Sequence, residues 1–454
     1  MSISSIVQSQ KNFFHTNATK DLSFRKDSLE KLLAAIEENE SAIFEALQKD
    51  LGKSKPEALM TEIGLVKNSI RQAMKNLYKW AKPRRVKTPI SHFPSSSYTL
   101  KEPYGVVLIL APWNYPFFLS MSPLVGAMAA GNCAVIKTSR NSPHTSAVID
   151  AIINGTFSSK YLYAVSDGSS YDEILACTYD YIFFTGSERV GRMIMRTASE
   201  TLTPVTLELG GKSPCIIHES ADLKQAAKKI AWGKIINAGQ TCVAPDYVVI
   251  PNHMKDEFVT LVREYFDKFV PHPLENDDYP KIVNLHHFMR LRNLITKEKS
   301  VKGGKSDDKK YKIAPAIFHK ATFNSDVMKD EIFGPILPVI GYDDLDEVID
   351  TIKRRPKPLA CYIFAKNNSV AKSILTTLSF GGGCINDTIM HVANDNLPFG
   401  GVGNSGMGSY HGKYSFDTFS HEKGIIINKG FFDSSLRYPP FDDKSYHSLK
   451  KFLK

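Results

Sequence analysis

No run of about 18 consecutive apolar residues, the length a membrane-spanning helix needs, occurs anywhere in this 454-residue chain. The N-terminus, MSISSIVQSQKNFF, lacks a basic n-region and a long apolar h-region, so no secretory signal is expected. The six cysteines, Cys133, Cys177, Cys215, Cys242, Cys361 and Cys384, form no CxxC pair and no Cys/His cluster at metal-ligand spacing. No metal is therefore expected. A disulfide framework does not suit a chain of this size, which points to reduced thiols in a cytoplasm. Charge of one sign is scarce too: the net +10 is modest, and the lysines are spread, with Lys82-Pro83-Arg84-Arg85 and the C-terminal SLKKFLK the densest spots. Such a surface is read as solvated rather than as a nucleic-acid face. The tail reads either as frayed or as a contact with a lipid surface. Internal repeats and low-complexity tracts are also missing.

What is present is an ordinary globular composition, 43% hydrophobic and 23% charged, with length for two or three domains. Apolar residues at Leu29, Leu32, Leu33, Ile36, Ile43, Phe44, Leu47 and Leu51 follow helical spacing, with a shift of phase around 37–40. A second helical pattern runs from Ile63 to Leu77 and stops near Pro83. Residues 86–102, rich in Pro and Ser, read as an arm or connector. Short continuous apolar runs follow at 106–110, 134–137, 161–165, 181–185 and 205–209, separated by helix-compatible segments at 117–130, 143–154, 171–176 and 188–200. Alternation of this kind predicts a doubly wound parallel sheet, with ligands at the carboxyl ends of its strands. Residues 213–380 repeat the alternation at longer spacing, as a second α/β domain would. Gly303–Lys312 reads as a polar loop, and the Gly-rich stretches at 381–383 and 399–408 as dense turns.

Five places carry side chains suited to chemistry. Cys242 stands in Gly239-Gln240-Thr241-Cys242 with Pro245 behind it, a context that holds a thiol at a bend, although a cysteine is ordinarily a small buried hydrophobe. Glu208, among Val205, Leu207 and Leu209, lies at a strand's carboxyl end. Desolvation there raises a carboxyl towards a general base; strand alternation equally allows it to face solvent. Asn114, in Ala111-Pro-Trp-Asn-Tyr-Pro116, presents an amide to a developing oxyanion or is simply a turn residue. Phe184-Thr-Gly-Ser-Glu-Arg-Val-Gly191 follows a strand and opens a helix, so Gly186, Ser187 and the first helical N–H groups suit a phosphate, without the GxGxxG pattern. Lys137, at another strand end, reaches a ribose or phosphate, or water.

Taken together, the chain resembles the aldehyde dehydrogenase superfamily, and within it the class 3, fatty aldehyde dehydrogenase-like branch. The resemblance runs in order from about residue 20 to about residue 440. It rests on APWNYP at 111–116, AAGN at 129–132, FFTGSERVG at 183–191, LELGGKSP at 207–214 and NAGQTCVAPDY at 237–247. It continues through DEIFGPILPV at 330–339, RPKPLACYIF at 355–364, SFGGGCINDTIMH at 379–391, LPFGGVGNSGMG at 397–408 and SYHGKYSFDTFSH at 409–421. The last of these, with LRYPP at 436–440, points to the class 3 branch.

The resemblance implies an α/β fold with a Rossmann-like cofactor domain (1–81 and 106–207) and an α/β catalytic domain (208–383). A small β oligomerisation arm with the C-terminal segment (82–105 and 384–454) would complete it, pairing chains as homodimers. It further implies that Cys242 attacks an aldehyde, that Asn114 and the Cys242 N–H form the oxyanion hole, and that Glu208 is the base for hydrolysis of the thioester. Gly186, Ser187, Gly191, Lys137, Arg140, Leu209, Glu331 and Phe333 would hold NAD or NADP. Family members commonly carry Lys-Pro-Ser-Glu where this chain has Lys137-Thr-Ser-Arg140. The missing acid is one that repels a 2′-phosphate, so acceptance of NADP, even a preference for it, is expected; the alternative is that Arg140 points outward and Lys137 alone decides nothing. Trp232 and His411 match positions near the substrate tunnel, where packing is an equal explanation. The chain stops without the hydrophobic tail that anchors some branch members in membranes, so a soluble enzyme is expected. A cysteine acyltransferase or hydrolase would also use Cys242 and Glu208 but has no use for the 183–191 loop or Glu331. Release of the thioester to coenzyme A and a catalytically silent scaffold are the other rivals; the intact Glu208 favours water, and the intact trio of Cys242, Glu208 and Asn114 favours an enzyme.

Overall fold

The computed structural model describes residues 2–165, 170–298 and 300–452. The apolar runs form strands because both of their faces are covered. All five residues of Val106–Leu110 are buried, and the helices Ile3–His15 and Phe118–Ala130 pack on this strand and its neighbour Cys133–Lys137. The first sheet has the order 406–407, 205–208, 181–185, 106–110, 133–137, 162–165, parallel except for the short edge Gly406–Met407. Strand order runs outward in both directions from Val106–Leu110. A crevice therefore opens beside its carboxyl end, where the chain turns through Pro112 to Asn114.

A second sheet of seven strands runs 301–303, 316–318, 336–342, 247–251, 214–217, 360–364, 382–385, parallel except for its first strand. The two sheets are consecutive in the chain: Val205–Glu208 ends in the first and Pro214–Ile217 begins in the second. Gly210 and Gly211 make the crossing. A third, antiparallel sheet joins Arg84–Val86, Ser96–Pro103 and Ser420–Ile427, so the Pro- and Ser-rich stretch is paired with the C-terminal region. Beside it, exposed Phe93 packs edge-on against Phe431 at 6.1 Å.

The long helical pattern at 24–51 is two helices, Leu22–Glu38 and Glu40–Leu51, broken at Asn39, whose amide folds back onto the Ala35 carbonyl. The structure also departs from expectation in three places. Helix Ile3–His15 carries no strong periodic signal; it is held by buried Gln10, which donates to the carbonyls of Ala134 and Ser159 at 3.0 and 3.1 Å. The polar loop at 303–312 contains a small hairpin, Ser306–Asp307 with Lys312–Ile313, because the Asp307 carboxylate accepts from the N–H groups of Lys309 and Lys310. The tail is helical over Asp443–Phe452, started by Asp442 accepting from the Ser445 N–H at 2.7 Å; its last two residues lie outside the described residues. Among the described residues, no helix is long and apolar enough to cross a membrane.

Candidate active site

The crevice at the carboxyl end of Val106–Leu110 is a cleft of about 670 Å³, and Cys242 and Asn114 line it together with Gly186, Ser187, Leu209, Glu331 and Phe333. Cys242 is presented by an unusual stretch of backbone. Helix Leu223–Ile235 gives way to Asn237 (φ 50°, ψ 32°), Ala238 (φ 50°, ψ 34°) and Gly239 (φ 74°), three left-handed residues in succession. The left-handed region costs a non-glycine residue roughly 1–2 kcal/mol, so the turn persists only because its surroundings determine it. At Gly239 no side chain fits, since a β-carbon would stand 2.4 Å from the Gly334 carbonyl oxygen. Phe333, the residue before Gly334, is itself at φ 50°. Two strained turns thus abut, one leading to the thiol and one carrying a ring into the same cleft.

Hydrogen bonds fix both sides of the thiol. The Asn114 amide donates to the Gln240 carbonyl at 3.1 Å, and the Asn237 amide donates to the Asn114 carbonyl at 2.7 Å and to the Gln240 carbonyl at 3.0 Å. Downstream, Asp246 accepts from the Lys212 ammonium at 2.5 Å and from the Ile332 N–H at 3.0 Å. That one carboxylate ties the thiol loop to the Gly210–Lys212 crossing and to the loop of Glu331 and Phe333. Burial, then the charges of Glu331 and Glu208, push the Cys242 thiol well above its ordinary range, while the N–H groups of Cys242 and Val243 pull the other way. The resting thiol is therefore protonated, and lowering its pKa calls for an added positive charge.

Glu331 lies against Gly210: a β-carbon there would stand 2.3 Å from a Glu331 oxygen. Burial and then Asp246 push the Glu331 carboxyl up to about 8, against the Gly211 N–H and the charges of Lys212 and Lys234. Gly191 sits beneath Leu209, where a β-carbon would stand 2.7 Å from the Leu209 side chain. Gly191 is thus a packing contact one turn below the cleft wall that Gly186 and Ser187 form. Ser187 starts helix Glu188–Ser199, whose first-turn Arg189 also faces the cleft.

Glu208 ends its strand beside Thr185 and Gly406. It is 1% exposed, and both carboxylate oxygens are without a hydrogen-bond partner. It does not line the cleft but stands near enough that its ionised form acts on Cys242 and on the buried Tyr410. Burial alone pushes its carboxyl well above the usual range, so the resting group is the neutral acid.

Lys137 ends the strand paired with Val106–Leu110, Arg140 follows three residues on, and neither lines the cleft. Lys137 is buried, with its ammonium donating to the Thr138 carbonyl at 2.9 Å, and Arg140 is exposed in the loop before helix Pro143–Thr156. Trp232 lines a separate cavity of about 270 Å³. His411 is buried, stacked on Phe399 at 5.1 Å and 11°, and held neutral by burial at a pKa of about 3.

Several cleft residues escaped the reading of the sequence, among them Trp113, Arg189, His287 and Arg290. Trp113 meets Phe333 edge-on at 5.3 Å and His287 at 4.9 Å, and Arg290 donates to the Ile332 carbonyl at 2.7 Å. Burial, followed by Arg290 and His286, lowers His287 to about 4. The three-residue spacing of His287 and Arg290 on helix Leu285–Lys297 is visible in LHHFMRLRNL, but the same pattern serves any basic helix face, and only packing aims this one at the cleft.

A model of the aldehyde dehydrogenase family matches residues 1–425. The 4,4'-diaponeurosporen-aldehyde dehydrogenase of Staphylococcus aureus (strain NCTC 8325 / PS 47) is 49% identical over 448 residues, 98% of this chain and 97% of that protein. Aldehyde dehydrogenase family 3 member A2 of Mus musculus is 42% identical, covering 97% of this chain and 92% of its own length. Among solved structures, the substrate-bound state of Staphylococcus aureus AldH matches with a TM-score of 0.97 at 47% identity, covering 100% of both chains. The NAD+ complex of an aldehyde dehydrogenase from Bacillus cereus matches with a TM-score of 0.85 at 26% identity, covering 94% of this chain and 89% of its own.

Proposed function

This chain belongs to the aldehyde dehydrogenase family, and from that premise we propose that it oxidises an apolar aldehyde to the carboxylic acid through a covalent bond to Cys242. The observation that carries the proposal is the cleft itself, which puts a thiol, an oriented side-chain amide and the Gly186, Glu331 and Phe333 surface within one enclosure. The residues present fit NAD(P)+: Gly210 leaves room for Glu331 at the wall, and Gly186 and Ser187 open a helix N-terminus beside it. Glu331, Phe333, Leu209, Gly186 and Ser187 would hold it. When bound, NAD(P)+ supplies a positive charge near the thiol and the acceptor for the hydride, whose departure converts the thiohemiacetal into a thioester.

Cys242 gives its proton to solvent water and its sulfur bonds to the aldehyde carbon, moving the carbonyl electron pair onto oxygen. The Asn114 amide and the Cys242 N–H stabilise that oxygen; one such donor is worth ~2.7–4 kcal/mol of barrier. Asn114 is suited to this because its hydrogen bond to the Gln240 carbonyl fixes the orientation of the amide. In the second half Glu208 takes a proton from water as the water adds to the thioester, and the C–S bond breaks to return the thiolate. A water entering beside Glu208 supplies the hydrogen bond that the resting carboxyl lacks and so favours its ionised, basic form.

An apolar substrate is supported by the S. aureus relative, named for a diaponeurosporen-aldehyde. Arg140, exposed where no acid stands, supports acceptance of NADP. The exposed Phe93 and Phe431 beside the arm support a homodimer, and six unpaired thiols support a cytoplasmic setting. The test is absorbance at 340 nm across short, long and aromatic aldehydes with each cofactor. Cys242→Ala abolishes turnover; an unchanged rate in that variant overturns the mechanism.

A further inference from the structure

The cleft explains Cys242 and Asn114 but not the acidic residues behind them. Helix Lys55–Ala58 runs into a single π turn, Leu59–Ile63, before helix Gly64–Ala81 resumes. The Gly64 N–H closes that turn on the Leu59 carbonyl, and a β-carbon at Gly64 would stand 2.6 Å from the same oxygen. Closure over five residues brings side chains five apart towards one face, and here they are Glu57 and Glu62. Glu62, fully buried, pairs with Lys53 at 2.5 Å and accepts from the N–H groups of Phe117 and Phe118 at 2.9 and 3.2 Å. Lys53 in turn donates to the Asn114 carbonyl at 3.2 Å. Glu57 accepts from the Asn237 backbone N–H at 2.7 Å.

Each acid therefore grips one of the two strained or turning segments that flank the thiol. Glu62 holds the loop of Asn114 through Lys53 and through the start of helix Phe118–Ala130. Glu57 holds the first residue of the left-handed turn, and the side chain of that same residue clasps the Asn114 carbonyl at 2.7 Å. We propose that Glu57 is a positioning residue: acting through Asn237, it sets the distance between the Asn114 amide and Cys242 and so tunes oxyanion stabilisation without touching substrate or cofactor. What matters is the reach of an acceptor oxygen to the Asn237 N–H, not the charge. This rests on the assignment of Cys242 and Asn114 made above.

Two substitutions separate reach from charge. Glu57→Gln keeps an acceptor oxygen at full reach and removes the charge; Glu57→Asp keeps the charge and withdraws the oxygen by one methylene. For a misplacement of this size, kcat for an aldehyde in Glu57→Asp falls about tenfold to a hundredfold, while Glu57→Gln stays within about threefold of the parent. In both, the Kd for NAD+ measured by quenching of protein fluorescence is unchanged, because the cofactor wall is not involved. The inference is overturned if Glu57→Gln is as slow as Glu57→Asp, which would give the charge the role. It is also overturned if Glu57→Asp lowers only the melting temperature and leaves kcat per folded enzyme at the parent value. Cys242→Ala, run alongside, keeps the outcomes apart: an active Cys242→Ala sinks the assignment of the thiol, and an inactive one with a fully active Glu57→Asp sinks only the role of Glu57.

Discussion

Replacing Glu208 by Gln separates the two halves of the reaction. The carboxyl is 1% exposed, has no hydrogen-bond partner, and is held neutral by burial, so the isosteric amide removes no resting charge. On the mechanism proposed above, the first half, up to the thioester, uses Cys242 and Asn114, and its rate should stay near that of the parent, while Glu208 serves the second half. The second half loses its base, a loss of ~10²–10⁴ in rate, or ~2.7–5.4 kcal/mol of barrier at 1.36 kcal/mol per decade. Stopped-flow absorbance at 340 nm should therefore show a burst approaching one NAD(P)H per site, followed by a slow phase, and intact-protein mass spectrometry should find the acyl group on Cys242. Hydroxylamine, a nucleophile that needs no base, should release the acyl group and restore turnover. Slow turnover with no burst and no acyl-enzyme would refute the reasoning, since it would place Glu208 before hydride transfer. The same substitution has a stability signature. A carboxyl whose folded pKa is raised binds more protons folded than unfolded, so its contribution is complete below the ordinary carboxylate range and is lost as pH rises towards the folded value. Glu208→Gln should thus flatten the fall in melting temperature between acidic and mildly alkaline pH.

Gly210→Ala places a methyl 2.3 Å from a Glu331 oxygen and, if Glu331 holds the cofactor as proposed, should raise the Kd for NAD(P)+ by about tenfold or more, equivalent to ~1.4 kcal/mol; an unchanged Kd would separate Glu331 from the cofactor. Arg140→Glu restores an acid where a 2′-phosphate would lie and should lower kcat/KM for NADP+ relative to NAD+ by about tenfold. A parent enzyme that already favours NAD+ a hundredfold would show that Arg140 plays no such part. Glu62→Ala leaves the Lys53 ammonium buried without its counter-charge, although the Asn114 carbonyl still accepts from it, and takes the carboxylate away from the N–H groups of Phe117 and Phe118. It should cost ~3–5 kcal/mol, read as a clear loss of melting temperature. The double change Lys53→Met with Glu62→Leu should recover part of that loss, and no recovery would mean that the backbone N–H groups, not the ion pair, carry the cost.

Much of this molecule was legible in the chain. Continuous apolar runs with helix-compatible segments between them became the first sheet almost residue for residue, because a strand covered on both faces can be written only in apolar side chains. The motifs around Cys242, Glu208 and Asn114 marked the family, since a thiol at a bend and a carboxylate at a strand's end are local features. The hairpin at 306–313 and the helix Ile3–His15 were less visible: one rests on a single Asx turn, the other on Gln10 bonds to carbonyls more than a hundred residues away.

What the tertiary structure alone decided is how the site is held. Nothing in KPEALMTEI announces a π turn, or that Glu57 and Glu62 will face inward to grip Asn237 and Lys53, because the sum of burial, one ammonium and three distant N–H groups selects that face. Nor does the chain reveal that Glu208 rests neutral near the cleft without lining it, for desolvation belongs to the packed environment and not to the residue. The chemical groups are written locally. Their protonation and their spacing are set by neighbours that only folding brings near.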